Sequence, residues 1–349
     1  MDGLRRTLRV GFSSGCAVKI GGVEQFFPEG DKEYDLYQKY YENSLRELVI
    51  FKKINSNDKF APHTTHVGQY HFRFRGGRVL KVAIDAHDHR EVRSQAIHDW
   101  CDLYFKSNHW PGFNYSSKVR SIPVGNSGIH LETCRYLRGL RNNSKSFDFI
   151  FVGRIWAGGG ANVEHNLLLF DNLSKIARNC RLLAVVFGFD QKSREFSNIV
   201  KRLNEAGVEW TDQQIGYGEL MELSAESHLV VMRSGVHGCI AWRMADMLGL
   251  GACIVMDQTP FPRWPVALEE GKNFLSLGLR ITPECGPAPM EDYEKIINKM
   301  KAYLNNKPAL ALIRKNNAQY FDEHLHPMKV AEHILANLSQ FIRVRFNQI

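Results

Sequence analysis

The sequence lacks the features that mark membrane-spanning, repetitive and disulfide-stapled proteins. No stretch of its 349 residues approaches the run of about 18 apolar residues that a membrane helix needs, and the amino terminus has no sustained apolar core. There is no internal repeat and no low-complexity tract. The seven cysteines form no Cys-x-x-Cys pair, so we expect reduced, buried thiols. These absences predict a soluble, cytoplasmic, globular protein.

Two phosphate-binding motifs are also missing. The glycines at 158–160 are not followed by Gly-Lys-Ser or Gly-Lys-Thr, so they do not form a P-loop. No Gly-x-Gly-x-x-Gly fingerprint occurs, which disfavours a nicotinamide-dependent oxidoreductase. Bare backbone at 158–160 can still approach phosphate oxygens and donate N–H groups to them. A flexible loop is nearly as good an interpretation of this segment.

The charge balance favours an anionic partner without identifying it. The net charge is +8 and the isoelectric point is near 9.1, which suits a phosphorylated substrate, lipid headgroups or nucleic acid. The basic residues are dispersed, and the densest cluster is Arg73, Arg75, Arg78 and Lys81. Because aromatic residues alternate with polar ones there, the cluster equally describes a hairpin turning at residues 76–77. We therefore expect no nucleic-acid partner, and peripheral membrane association stays open.

Strand and helix patterns alternate along the chain in two blocks. The first block begins with a predicted strand at 8–12 and a glycine-containing loop at 13–22, and residues 78–85 also predict a strand. The polar run at 138–146 is the predicted linker. The pattern predicts an α/β protein with two Rossmann-like domains. The proposed divisions are residues 1–140, residues 147–325 and a carboxyl-terminal helix at 326–349.

The most regular unit of the second block is a strand, a loop, a helix and a second strand. The strand is predicted at 228–232, the glycine-bearing loop at 233–238, the helix at 239–250 and the second strand at 252–256. Doubly wound sheets bind ligands at the carboxyl ends of their strands. We therefore expect a ligand site at the loop of this unit.

This unit resembles the donor-binding segment of GT-B glycosyltransferases, and within them exostosin-like and related bacterial polysaccharide enzymes. In these families a loop of small residues leads into a helix bearing Arg-x-x-acid, followed by a glycine turn and a strand. Here the pattern is Gly235 to Gly238, Arg243, Asp246, Gly249 and Gly251. The acid is commonly Glu in such families, so Asp246 departs from the pattern.

The resemblance implies two Rossmann-like domains facing a cleft, with the carboxyl-terminal helices packing back on the first domain. It implies a nucleotide-sugar as co-substrate and no other cofactor. No Asp-x-Asp triplet occurs, which disfavours a metal-dependent GT-A enzyme. GT-B enzymes generally use positively charged groups on the leaving phosphate, so we expect no bound metal.

Several residues follow predicted strands of the second block and are candidates for holding the donor. Arg154 completes a Val-Gly-Arg sequence that many GT-B enzymes share, but it can instead simply bridge strand and loop. Arg243 and Asp246 can face the pocket, or can form an exposed i,i+3 ion pair. The candidate donor-binding residues are Arg154, Gly159, Arg233, Ser234, His237, Arg243 and Asp246.

The polar segment after the predicted strand at 78–85 is the candidate for acid–base chemistry. Asp85, His87 and Asp88 would face the cleft, where a carboxylate or imidazole can take the proton of an acceptor hydroxyl. With His89 they offer four metal-ligating side chains, but the alternating directions of an extended segment argue against convergence. A surface turn without chemistry is the remaining interpretation.

A stiff aromatic loop at 259–265 follows the last strand of the regular unit. Phe261 and Trp264 can stack on a base or a sugar ring there, or the prolines simply stiffen a connection. Together these observations favour a glycosyltransferase that transfers a sugar from a nucleotide-sugar to a glycan, a lipid-linked acceptor or another hydroxylated acceptor. The alternative hypothesis is a non-catalytic glycan- or nucleotide-binding protein with the same fold.

Overall fold

The computed structural model describes residues 23–28, 36–51, 60–74, 77–126, 128–176, 178–281 and 286–346. The strand predicted at 8–12 and the loop predicted at 13–22 lie outside these ranges. Within them the chain forms two sheets of six strands each.

The first sheet is mixed. In the described chain its strands are β1 Val23–Pro28, β2 Ile50–Phe51, β3 Val67–Phe74, β4 Val79–Asp85, β5 Leu103–Lys106 and β6 Val119–Ser121. The spatial order is β2-β1-β3-β4-β5-β6. Strand β3 runs antiparallel to both β1 and β4, whereas β4, β5 and β6 are parallel.

The β3–β4 pair is the hairpin that the alternation of aromatic and polar residues predicted. Tyr70, Phe72 and Phe74 are buried, and Arg73 between them is exposed. The Phe74 N–H donates to the Arg78 carbonyl at 2.8 Å. Gly77 has φ +82°, which a residue with a side chain rarely adopts. Arg73, Arg78 and Lys81 of the basic cluster therefore lie on a hairpin, and Arg75 is outside the described residues.

The second sheet is parallel throughout. Its described strands are β7 Phe147–Trp156, β8 Cys180–Phe187, β9 Glu209–Thr211, β10 Ser227–Met232, β11 Ile254–Met256 and β12 Phe274–Ser276. The order β12-β11-β10-β7-β8-β9 is the doubly wound order, in which the chain starts in the middle and builds outward in both directions. The direction reverses between β7 and β10, so a crevice opens beside their carboxyl ends.

Helices cover both sheets. In the described residues they are α1 Leu36–Arg46, α2 Gln95–Trp100, α3 Leu131–Leu140, α4 Ala161–Leu173, α5 Arg194–Glu205, α6 Tyr217–Ala225, α7 Arg243–Gly249, α8 Met290–Glu294, α9 Ile296–Asn305, α10 Lys307–Tyr320 and α11 Pro327–Phe346.

Helix α7 is shorter than the sequence suggested. The prediction began it at Cys239, but the helix starts at Arg243. His237 and Gly238 have φ angles of 61° and 69°, which break the helical path before it. A short 3₁₀ turn at Val236–Gly238 fills part of the gap. The loop after β10 is therefore longer and more sharply bent than expected.

The last helix returns to the first half, as predicted. Helix α11 packs against α1, and Pro327 occupies its first turn, where a missing N–H costs nothing. The Tyr40 hydroxyl donates to the Leu325 carbonyl at 2.8 Å, and Arg345 pairs with Asp102 at 2.5 Å. The α/β class with two sheets flanking a cleft is confirmed, whereas the exact domain boundaries stay a prediction. Within the described residues, no helix combines the length and hydropathy needed to cross a bilayer.

Candidate active site

A cavity of about 840 Å³ lies at the switch point of the second sheet. Its walls come from the carboxyl ends of β7 and β10, from the loop that follows β10 and from α7. The first half of the chain contributes Asp88 and Asn126. The site is therefore shared between the halves, but most of its wall belongs to the second.

Three arginines line this cavity. Arg154 lies near the carboxyl end of β7, Arg233 follows β10, and Arg243 is the first residue of α7. Among the residues that the structure describes, no side chain pairs with the guanidinium of Arg154 or Arg243. Burial and the neighbouring Arg154 lower the pKa of Arg243 to about 10, although Asp246 acts in the opposite direction. The wall therefore carries concentrated positive charge that suits a phosphate.

Arg233 is held in place by groups behind the wall. Its Nη2 donates to the side-chain oxygen of Asn162, and its Nε lies 4.0 Å from Asp257 Oδ2. Asn162 also lines the cavity. Because both partners are polar and one is a buried carboxylate, the guanidinium is oriented before any ligand arrives.

Ser234 is buried, lines the cavity and braces the loop that follows β10. Its backbone N–H donates to Asp257 Oδ1 at 2.8 Å, and its hydroxyl lies 3.3 Å from Asp257 Oδ2. Its contact with a donor stays a prediction. Its neighbour Gly235 lines the cavity beside it.

A buried chain of polar groups continues behind Asp257. His165 Nε2 lies 3.2 Å from Asp257 Oδ2, and its Nδ1 lies 2.5 Å from the Tyr293 hydroxyl. Burial raises the pKa of Asp257, but the hydrogen bond from His165 and nearby Arg233 outweigh it and bring the pKa below its usual value. Asp257 is thus an ionised anchor that the sequence reasoning did not single out. Its position just past β11 was the signal that could have found it.

Asp246 does not reach the cavity. It is fully buried behind Arg243, where its carboxylate accepts from the Tyr217 hydroxyl at 2.9 Å and from Asn126 Nδ2 at 3.3 Å. Burial raises its pKa to about 6, against the opposing effect of these two donors and of Arg243. The predicted donor contact through Asp246 is replaced by a role in holding α7 to Asn126 of the first half.

Gly159 also has a packing role. It is not part of the cavity wall, and a Cβ there would lie 3.0 Å from the Trp156 Nε1 atom. A Cβ on Gly158 would lie 2.6 Å from the same indole. The glycines leave room for Trp156, which lines the cavity and is 42% exposed. Their predicted contact with phosphate is therefore not what this geometry offers.

His237 faces the first half of the chain, not the cavity at the switch point. Its ring centroid lies 4.1 Å from that of His89, and it is not among the residues lining the cavity. Beside it, Phe261 of the aromatic loop lies 4.8 Å from Trp110, ring to ring. These contacts close the rim of the cleft between the halves.

Asp85 is a buried structural residue. Its carboxylate accepts from the Tyr104 hydroxyl at 2.7 Å, from Lys106 Nζ at 3.0 Å and from the His87 N–H at 2.9 Å. Both Asp85 and Lys106 are fully buried. The prediction that Asp85 faces the cleft as a proton acceptor is corrected, because its oxygens are already occupied and no solvent path reaches them.

His87 is half-buried beside the cleft. Burial, followed by Arg93, lowers its pKa to about 4, although Asp85 acts in the opposite direction. Its Nδ1 accepts from the His89 N–H at 3.3 Å. The imidazole is therefore neutral at pH 7, and it does not line the donor cavity.

Asp88 is the one predicted acid–base residue that lines the cavity. Burial raises its pKa, and the Cys239 thiol donates to its Oδ1 at 3.3 Å. A water-sized recess of about 10 Å³ adjoins it, lined also by Ser107 and Asn108. In the described parts of the chain, no three His, Cys, Asp or Glu side chains are arranged to hold a metal ion.

Comparisons with known proteins return distant structural likenesses. No protein-family model and no curated protein matches the sequence. HepE of Anabaena, solved with UDP, is 12% identical over 69% of this chain and 64% of HepE, with a TM-score of 0.44. A glycosyltransferase of Rickettsia africae is 10% identical over 76% of this chain and 77% of its own, with a TM-score of 0.44. Sucrose-phosphate synthase of Thermosynechococcus elongatus is 13% identical over 76% of this chain and 68% of its own, with a TM-score of 0.45. This chain thus spans less than two thirds of HepE.

The architecture is that of a two-part α/β protein with a ligand cavity between the parts. It rests on the strand order of the second sheet and on the return of α11 to the first half. In fold the chain resembles the GT-B glycosyltransferases. The narrower resemblance to exostosin-like enzymes stays a prediction.

Proposed function

We propose that the protein is a glycosyltransferase that moves a hexosyl or related sugar from a nucleotide-sugar to a hydroxylated acceptor. The observation that carries the proposal is the cavity at the switch point, where Arg154, Arg233 and Arg243 face Asp88 of the opposite half. Three cations suit the diphosphate of a nucleotide-sugar, and a single carboxylate opposite them suits the acceptor hydroxyl.

The arginines would act mainly on the leaving group. As the bond between the anomeric carbon and the diphosphate oxygen breaks, negative charge grows on the nucleoside diphosphate. Guanidinium groups on the cavity wall would stabilise that charge, and Arg233 is already oriented by Asn162 and Asp257. The proposal is therefore a metal-independent transfer, in which arginines supply the positive charge.

Asp88 would act on the acceptor. A bond forms between the acceptor oxygen and the anomeric carbon, and the hydroxyl proton passes to the Asp88 carboxylate. Its raised pKa makes it a better proton acceptor than an exposed carboxylate. Trp156, exposed on the cavity wall, offers a ring face on which a base or sugar can stack. A glycan or a lipid-linked sugar are the acceptors we propose, and a cytoplasmic location, with or without peripheral membrane contact, stays a prediction.

A panel of UDP-, GDP-, dTDP-, ADP- and CMP-sugars tests the proposal. We expect one nucleotide class to raise the melting temperature and to be hydrolysed slowly to the free nucleotide. Arg154→Ala should lose both effects, whereas the exposed Arg194→Ala on α5 should keep them. If no member of the panel gives stabilisation or hydrolysis, the enzyme proposal is wrong.

The alternative is a non-catalytic nucleotide- or glycan-binding protein. It is favoured by the rim, where the His89 and His237 rings lie against each other. Among the described residues, the first half places Asp88 and Asn126 on the cavity wall. This alternative predicts thermal stabilisation by a nucleotide-sugar with no release of nucleotide, even with glycan acceptors present.

A further inference from the structure

A second cavity, of about 300 Å³, lies away from the donor cavity and shares no lining residue with it. Pro123 of the first half forms one wall, and Trp264 to Val266 of the aromatic loop form another. The rest comes from Tyr320 at the end of α10, from the turn at Phe321–Leu325 and from α11. A recess of this size is a candidate ligand site.

The walls of this second cavity are rich in rings. Trp264, Tyr320, His324 and His333 all line it. The Tyr320 and His324 rings meet edge to face with centroids 4.9 Å apart, and the Tyr320 hydroxyl is occupied by the Val266 carbonyl. Burial lowers the pKa of His333, which keeps that imidazole neutral at pH 7. Trp264 and Tyr320 therefore give the cavity an aromatic wall, beside the neutral His333 imidazole.

The charged groups at this cavity are mostly acidic. Glu323, Glu332 and Lys329 line it, so two carboxylates and one ammonium give a formal charge of −1 with the histidines neutral. Lys329 Nζ lies 2.8 Å from Glu332 Oε2, which compensates both charges. Glu323 accepts from the neutral Gln319 amide at 2.8 Å and lies 3.9 Å from the His324 ring. One carboxylate is thus left without a full positive charge beside it.

The second cavity and the donor cavity differ in the sign of their formal charge. Three arginines and Asp88 line the donor cavity, which gives a formal charge of +2. The second cavity combines aromatic walls with a negative formal balance, which favours the opposite class of ligand. Aromatic faces attract organic cations, because the ring quadrupole is negative above its plane.

We propose that this cavity binds a small organic cation, an amine or quaternary ammonium with a short apolar body. The apolar body would pack on Trp264, Pro265 and Leu325, and the cationic head would lie towards Glu323. The segment that lines the cavity includes a π-helical turn, Phe321–Leu325, closed by the His326 N–H donating to the Phe321 carbonyl at 2.8 Å. Such turns occur often at functional sites.

A bound cation would touch both halves of the chain. Pro123 lies just after β6 of the first sheet, whereas Trp264 follows the second sheet's β11. Ser121 near Pro123 already donates its hydroxyl to the Arg263 carbonyl at 2.7 Å. The ligand would therefore reinforce an existing contact between the halves, independently of what the donor cavity binds.

Calorimetric titration of the full chain with choline and with its neutral isostere 3,3-dimethylbutanol tests the proposal. We expect choline to bind at least about three-fold more tightly, because only it gains the cation–ring and carboxylate interactions. Equal affinities, or no heat from either compound, would overturn the assignment to a cation.

Two exposed positions locate the site by mutation. Ala336→Phe on α11 should fill the cavity and abolish choline binding, and Glu323→Gln should weaken it about two-fold to five-fold. Ala311→Phe and Glu294→Gln, both exposed elsewhere, are the matched controls and should bind normally. Choline binding that survives Ala336→Phe would place the ligand elsewhere and refute the proposal.

Discussion

The two walls of the cleft, the first formed by the first half of the chain and the second by the second half, differ in how their charged side chains are compensated. On the first half, the charged pair of Asp85 and Lys106 is fully buried and satisfied internally. On the second half, the guanidinium groups of Arg154 and Arg243 face the cavity with no partner among the described side chains. A buried charge must be compensated within the protein, whereas a charge held for a ligand is left uncompensated. We therefore predict that the second wall binds the ligand and that the first wall mainly supports the fold, with Asp88 as its exception.

The largest expected effect is that of Asp88 on kcat. Asp88→Asn keeps the size of the side chain but removes the proton acceptor, so we expect kcat to fall by about 10²- to 10⁴-fold. Donor affinity, measured by calorimetry, should change little. A variant that keeps full kcat would show that Asp88 is not the base, and the first wall would then have no predicted catalytic residue.

Lys106→Met tests whether the rest of the first wall is structural. It leaves the Asp85 carboxylate buried without its cation, and we expect a loss of about 3–5 kcal/mol in the free energy of unfolding. Urea denaturation measures it. The double variant with Asp85→Asn should recover part of the loss, because no uncompensated charge then remains. Equal instability of the single and double variants would contradict the ion-pair explanation.

Arg243→Met tests the second wall. Removing one charge-assisted contact to phosphate should weaken nucleotide binding by about ten-fold to a hundred-fold, or about 1.5–3 kcal/mol. The guanidinium makes no hydrogen bond to a described side chain, but its charge lowers the pKa of the buried Asp246, so we expect a modest decrease in the unfolding free energy. Arg194→Met is the matched control. A folded variant with unchanged nucleotide affinity would contradict the comparison of the two walls.

The smallest effect concerns pH and again the first wall. His87 has a folded pKa of about 4 against an ordinary value of 6.5, so the unfolded chain binds the proton more tightly. Stability is then complete above about pH 6.5 and falls as the pH drops towards 4. Since His87 is half-buried, we expect a loss of only about 1 kcal/mol. His87→Asn should flatten this part of the stability profile, and an unchanged profile would assign the pH effect to other groups.

Sequence reasoning located the second wall better than the first. Arg233 follows from the rule that residues just past parallel strands meet at one sheet edge. Arg154 near the end of β7 agrees with that rule, whereas Arg243 on α7 was implied by the family resemblance. The same rule failed for Asp85, which also ends a strand. Its side chain turns inward to Tyr104 and Lys106, and no local pattern reveals partners about twenty residues away in the chain.

Several polar side chains that were predicted to contact the donor contact other protein groups in the structure. Ser234 bonds to Asp257, Asp246 to Tyr217 and Asn126, and His237 lies against His89. Each retains the predicted position near the strand ends but turns to a protein partner. Position along a strand or helix is a local property, whereas the direction of a polar side chain depends on which distant group can satisfy it.

The sequence by itself determined the alternation of strands and helices in the second half and the hairpin of the first sheet. These follow from the period of apolar residues and from glycine and proline, whose effects are local. Only the tertiary structure decided the antiparallel start of the first sheet, the buried pairing of Asp85 and the two cavities of opposite charge. Each of these depends on which distant residues come together, because burial forces every polar group to find its partner across the fold.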